Sequence, residues 1–229
     1  MLQRDAFIEE ITKYLEKDKS IFFLSADFGA KALDELRQRF PNNFLHCGIS
    51  EQAMLDIAAG LALEDNKVFV YGMAPFLALR SLEQTKCGAG LMNLPICLLS
   101  VGIGLGYADA GPTHYTTEDF ACFRSIVGSS IYTPADSLST KLIAKELLEK
   151  PKFSYIRLDR DVLPNISPEI TNADLNRGFK VFGNINNNKI ALISHGRMLH
   201  KCLEIYNNKL NKFVCVDILR SKPFPKDLP

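Results

Sequence analysis

The sequence predicts an α/β fold, a parallel sheet with helices on both faces. Two observations carry this. Short segments that are apolar nearly throughout (Ile21–Leu24, Lys67–Tyr71, Pro95–Ser100 and Phe153–Arg157) alternate with stretches of helical periodicity. Strands lacking polar alternation are the ones buried on both faces, as happens when the crossovers between parallel strands are helices. In such sheets ligands bind at the carboxyl ends of the strands.

Taken in order, Phe7, Ile8, Ile11, Tyr14 and Leu15 recur at helical spacing and predict a first amphipathic helix. The strand Ile21–Leu24 ends in the polar loop Ser25-Ala26-Asp27. Ala32, Leu33, Leu36 and Phe40 predict a second helix, closed by Pro41. A short strand, 43–47, leads into Gly48-Ile49-Ser50-Glu51-Gln52, which opens an Ala-rich helix. Ser50 suits the N-cap and Glu51 the helix dipole. After the strand 67–71 a helix is expected over about 76–88, then the strand 95–100 and a glycine-rich loop from Gly102 to Thr117. A short helix (118–126), a strand (130–132), a helix capped by Asp136 and the strand 153–157 complete this half. Residues 161–176, with Pro164 and Pro168, read as a linker. Two strands, 189–194 and 212–217, around a helix (198–206) begin a second, smaller α/β unit over 177–229. The expected domains are therefore 1–160 and 177–229.

The 229 residues, 47% hydrophobic, suffice for one good core and a second small domain. A net charge of +1, with no basic stripe, gives no electrostatic case for nucleic acid. The six cysteines form no CxxC pair and mostly sit in apolar runs. They read as reduced core residues of a cytoplasmic protein, and no metal site is expected on this chain. The N-terminus has no signal-peptide pattern, and no apolar run is long enough to span a bilayer.

Several motifs, in order, carry a resemblance. They are Arg4-Asp5-Ala6-Phe7, Ser25-Ala26-Asp27, Gly48-Ile49-Ser50-Glu51-Gln52, Phe76 with Arg80, Glu83 and Gln84, Gly111-Pro112-Thr113-His114 before Glu118-Asp119, Pro134-Ala135-Asp136, and Tyr155-Ile156-Arg157-Leu158-Asp159-Arg160. Through them the chain resembles the pyrimidine-binding domain of the thiamine-diphosphate-dependent transketolase family. A fainter likeness to that family's C-terminal domain covers about 177–224.

The resemblance implies roles. Thiamine diphosphate must lose the thiazolium C2 proton, and the protein supplies binding and electrostatics. Glu51 matches the glutamate that donates a hydrogen bond to N1′ of the aminopyrimidine, and the donor form requires an apolar setting. Phe76 matches the aromatic stacked on the pyrimidine, with Ile49, Met73 and Leu79 as further walls. Asp27 matches an aspartate near the cofactor and the dimer interface. His114 matches the histidine facing the reacting carbon, where it can pass a proton or polarise a carbonyl. Arg160 and Arg4 match positions that grip a sugar phosphate. His46 and Asp109 are further candidate substrate contacts.

Three departures stand out. Ala110 replaces an aspartate that reads a donor hydroxyl, and Gly102 falls near a histidine that binds acceptor phosphate. The glycine-aspartate-glycine motif that holds Mg2+ and the diphosphate, which the family carries in its preceding domain, does not occur. The resemblance thus implies one subunit of a split transketolase, self-associating through this domain. A separate diphosphate-binding chain would hold Mg2+, and the substrate would be a sugar or sugar phosphate. A deoxyxylulose-phosphate-synthase-like condensing enzyme and a non-catalytic, degenerate or truncated partner subunit are the alternatives. A Rossmann-type nucleotide binder is excluded, because no G-x-G-x-x-G follows the first strand.

Overall fold

A computed structural model describes residues 1–26, 31–166, 168–185, 190–208 and 212–228. The helices are α1 (Gln3–Leu15), α2 (Lys31–Arg39), α3 (Glu51–Leu63), α4 (Leu82–Gln84), α5 (Asp119–Ser125), α6 (Ser137–Glu149), α7 (Asn172–Arg177) and α8 (Arg197–Asn208). The strands are β1 (Ile21–Ser25), β2 (Phe44–His46), β3 (Lys67–Met73), β4 (Ile96–Val101), β5 (Ser130–Tyr132), β6 (Ser154–Leu158), β7 (Phe179–Phe182), β8 (Ile190–Ser194), β9 (Phe213–Ile218) and β10 (Arg220–Lys222).

The main sheet runs β10-β5-β6-β4-β3-β1-β2. Every pairing in it is parallel except that of β10 with β5. β4 is buried at every position, as its unbroken apolar run requires. One face is covered by α1, α2 and α6, which bury Phe7, Ile11, Leu36 and Leu147 against Phe23, Phe69 and Leu99. The other is covered by α3, the 76–90 segment and α5, through Met54, Leu77 and Phe123 against Leu24, Val70 and Leu98. From β1 the chain runs outward to β2, then returns on the other side to β3. The crevice between the carboxyl ends of β1 and β3 is therefore the topological switch point.

The C-terminal region forms its own sheet, β7-β9-β8, with β7 antiparallel and β8 parallel to β9. Leu199, Cys215 and Phe182 pack there around Ala135 and Ile166. Two strands of this region were not expected from the sequence. β7 begins directly after the αL residue Gly178, which closes α7 within the stretch expected as linker and its continuation. β10 leaves the second sheet and adds to β5 in the first.

Two local expectations are corrected. Ser50 is the residue before α3, yet its hydroxyl makes no cap bond and instead donates to the Cys47 carbonyl. At φ −145° and ψ 62° its backbone does not aim the side chain at the helix N–H groups. The expected helix over 76–88 is two π-helical stretches, Phe76–Arg80 and Thr85–Gly90, joined by the single turn α4.

Candidate functional site

Glu51 is the first residue of α3, and its side chain is 4% exposed. Its Oε2 accepts a hydrogen bond from Arg80 Nη1 at 2.6 Å. The setting is therefore not the apolar one expected, because a guanidinium from the π-helical turn reaches the carboxylate. Such i→i+5 turns are rare and concentrate at functional sites. Here the turn places the residue four positions on from Phe76 over its ring, with the Arg80 guanidinium 4.3 Å from the ring centre.

From Phe76 the contacts continue. The His114 imidazole meets the Phe76 ring edge-on at 5.2 Å, and the Tyr107 ring lies 6.5 Å from His114. The Arg160 guanidinium sits 4.6 Å over Tyr107 and donates to Asp109 Oδ1 at 2.6 Å and to the Gly106 carbonyl at 3.1 Å. Glu51, Arg80, Phe76, His114, Tyr107, Arg160 and Asp109 thus form one continuous line of contacts. It joins α3, the turn after β3, the loop after β4 and the end of β6. Two residues expected to meet substrate separately, Asp109 and Arg160, are bonded to each other. His114 Nδ1 is within 3.0 Å of the Thr113 hydroxyl, which sets the ring's orientation.

The remaining expected residues fall around this line. Met73 ends β3 and is half-buried, while Leu79 lies exposed on the π-helical turn. Ile49, 84% exposed, stands in front of α3. His46 is exposed at the end of β2. Arg4, on α1, bonds Asp5 at 3.0 Å and interacts with Tyr71 of β3, outside the line. Asp27 lies outside the described residues.

Two residues are added by the structure. Arg80 was only one letter of a motif, and nothing in the sequence pairs it with Glu51. Tyr107 explains the departure at Gly102. A Cβ on Gly102 would lie 2.0 Å from Tyr107 Cε2, so the tyrosine ring fills the space above the glycine. The signal was present in the sequence as an aromatic within a glycine-rich loop, but only the fold of the loop shows where it lands.

Behind the loop, a cleft of about 360 Å3 opens between residues 103–106 and the start of α8. Arg157, Asp159, Asp161, His195 and Arg197 line it. Arg197 bridges Asp159 and Asp161. Burial, helped by the nearby Arg157 charge, holds the His195 imidazolium below its usual range. The cleft does not include Glu51, Phe76 or His114.

A doubly wound α/β domain that brings a buried glutamate, an aromatic face and a histidine to the carboxyl edge of its sheet presents them where folds of this class bind ligands. The chain belongs to the transketolase pyrimidine-binding domain family, whose profile matches residues 1–165. Over 164 residues it is 34% identical to one of the subunits of the apulose-4-phosphate transketolase of Phocaeicola vulgatus, covering 71% of this chain and 53% of that one. It is 28% identical over 167 residues to the 6-deoxy-6-sulfo-D-fructose transketolase subunit SqwH of a Clostridium species, covering 72% and 52%. This chain thus spans about half the length of these relatives. Among solved structures, a split-gene transketolase described as an inactive beta4 tetramer superposes with a TM-score of 0.83 at 25% identity, over 97% of this chain and 73% of that one. The Campylobacter jejuni transketolase shares the fold, with a TM-score of 0.86 at 21% identity, over 100% of this chain and 37% of that one.

Proposed function

We propose that this chain is the pyrimidine-binding subunit of a split, thiamine-diphosphate-dependent transketolase that transfers a two-carbon ketol unit between sugars or sugar phosphates. The observation that carries the reading is the convergence of Glu51, Phe76 and His114, from three separate segments, on one line at the sheet's carboxyl edge. The residues present fit an aminopyrimidine. A flat nitrogen-bearing group, the Arg80 guanidinium, already lies on Phe76 and bonds Glu51. When bound, thiamine diphosphate supplies a carbon nucleophile that a protein side chain cannot. Glu51 binds the pyrimidine nitrogen, and Phe76 carries the ring on its face, with Met73 and Leu79 beside it. His114 holds or moves a proton at the substrate oxygen. Arg160, held by Asp109, binds the far end of the substrate, with Arg4 and His46 as further contacts.

The diphosphate and Mg2+ are assigned to a separate partner chain, and residues 1–160, 161–176 and 177–229 to the binding domain, a linker and a second domain whose β10 adds to the first sheet. Self-association through the binding domain is supported by exposed apolar residues on and before α3, including Ile49, Ile57 and Leu63. The beta4 assembly described for the split-gene transketolase supports it too. Among the described residues no helix is long and apolar enough to cross a membrane, and a cytoplasmic location belongs to this proposal.

The test is turnover of ketose donors by this chain reconstituted with a diphosphate-binding chain, thiamine diphosphate and Mg2+. Glu51→Gln is expected to lower the rate by about 100-fold or more. Turnover of Glu51→Gln near that of the parent would sink the assignment.

A further inference from the structure

We infer that Arg80 is the gate residue of the pyrimidine subsite, and that binding there exchanges its guanidinium for a proton on Glu51. The inference rests on the reading of Glu51 and Phe76 given above. Arg80 makes both contacts the aminopyrimidine needs, the hydrogen bond to the Glu51 carboxylate at 2.6 Å and the face of Phe76 at 4.3 Å. A pyrimidine that took Glu51 Oε2 and this same face of Phe76 would displace the guanidinium.

The pair is lopsided. The Glu51 side chain is 4% exposed and that of Arg80 is 40% exposed. Arg80 reaches inward from solvent, so its charge returns to water at little cost. Glu51 has no such route, and a carboxylate left buried without its cation is strongly disfavoured. A guanidinium only donates hydrogen bonds, so it faces Glu51 as a carboxylate. The pyrimidine ring nitrogen accepts, so it requires an O–H on Glu51. The exchange is balanced by one proton. Arg80 leaves as a cation, Glu51 Oε2 takes one proton from solvent, and that proton is shared with the ring nitrogen.

The experiment is isothermal calorimetry of thiamine diphosphate with Mg2+ binding to the reconstituted complex, in buffers of different ionisation enthalpy. The parent complex is expected to take up about one proton per site, and its affinity is expected to fall as pH rises. Arg80→Met is expected to bind about tenfold tighter, with proton uptake near zero and a flat pH profile. Arg80→Lys keeps the cation and is expected to keep the proton uptake. A purely structural role for Arg80 would weaken binding in both variants and leave proton uptake unchanged, which would overturn the inference. So would a structure of the loaded complex in which Arg80 still bonds Glu51 and covers Phe76. Failure of the parent and Arg80→Met alike to bind thiamine diphosphate would instead overturn the cofactor reading, and the gate with it.

Discussion

Asp217 lies on β9, fully buried, and neither of its carboxylate oxygens has a hydrogen-bond partner among the described residues. Burial, then the nearby Asp136 charge, raises its pKa well above the usual carboxylate range, while Lys180 pulls the other way. The folded chain therefore holds a proton that the unfolded chain releases near the ordinary aspartate value. Between those two values the folded state binds more protons, so stability falls as pH rises through the window. Below the unfolded value the penalty is absent. Asp217→Asn is expected to leave the melting temperature nearly unchanged at the acid end of the folded range and to raise it increasingly toward neutrality. Parallel melting profiles for parent and variant between pH 4 and 8 would rule this out. Gly102 gives a second expectation at this scale. Its φ of +81° and the 2.0 Å approach of Tyr107 to a built Cβ both oppose a side chain. Gly102→Ala is expected to displace Tyr107 from beside His114 and Arg160, read as faster proteolysis of the 102–110 loop.

Among the elements, α6 is fixed at its start by a single aspartate. Asp136 accepts through Oδ1 from the Ser139 amide at 2.8 Å, and its own amide donates to the Ser139 hydroxyl oxygen at 3.2 Å, completing a capping box. Its second oxygen accepts from the Ile166 amide at 2.9 Å, so one side chain caps the helix and anchors the segment that follows β6. Asp136→Ala removes the cap and leaves a buried amide unpaired, at a cost of about 1–3 kcal/mol. Part of that loss is offset because the charge opposing Asp217 is also gone. A urea midpoint unchanged from the parent would show that the cap does not hold α6. The same element was legible in the sequence, since an aspartate before a periodic run is a start signal. The π-helical stretches were not. Apolar spacing in 76–90 satisfies a helix template, and the wider turn follows from how the segment packs on α3 and β3.

Across the whole molecule, two features tie the layers together. Asp119, buried at the start of α5, accepts from Arg157 Nε at 2.7 Å and from the Tyr155 hydroxyl at 2.9 Å, both on β6. Arg157→Met would strand that carboxylate at 0% exposure, at a cost of about 3–5 kcal/mol. Thermal unfolding of this variant within a degree or two of the parent would contradict the account. The second feature is β10, which carries the C-terminal region back to the edge of the first sheet and pairs Arg220 with Tyr132.

The residues determined much of this by themselves. Apolar runs buried on both faces required a covered parallel sheet, and the order of runs and helices placed the loops that carry the motifs at its carboxyl edge. Glu51, Phe76 and His114 came forward through the family resemblance of the motifs that hold them. Tertiary structure alone decided which side chains meet. Arg80 finds Glu51 across 29 positions, Arg160 finds Asp109 across 51, and β10 finds β5 across a whole second sheet. Periodicity and residue type report a side chain's own element, whereas an ion pair or an added edge strand depends on where two elements come to rest. That placement is set by the packing of the two faces of the sheet, to which no single segment of the chain holds the key.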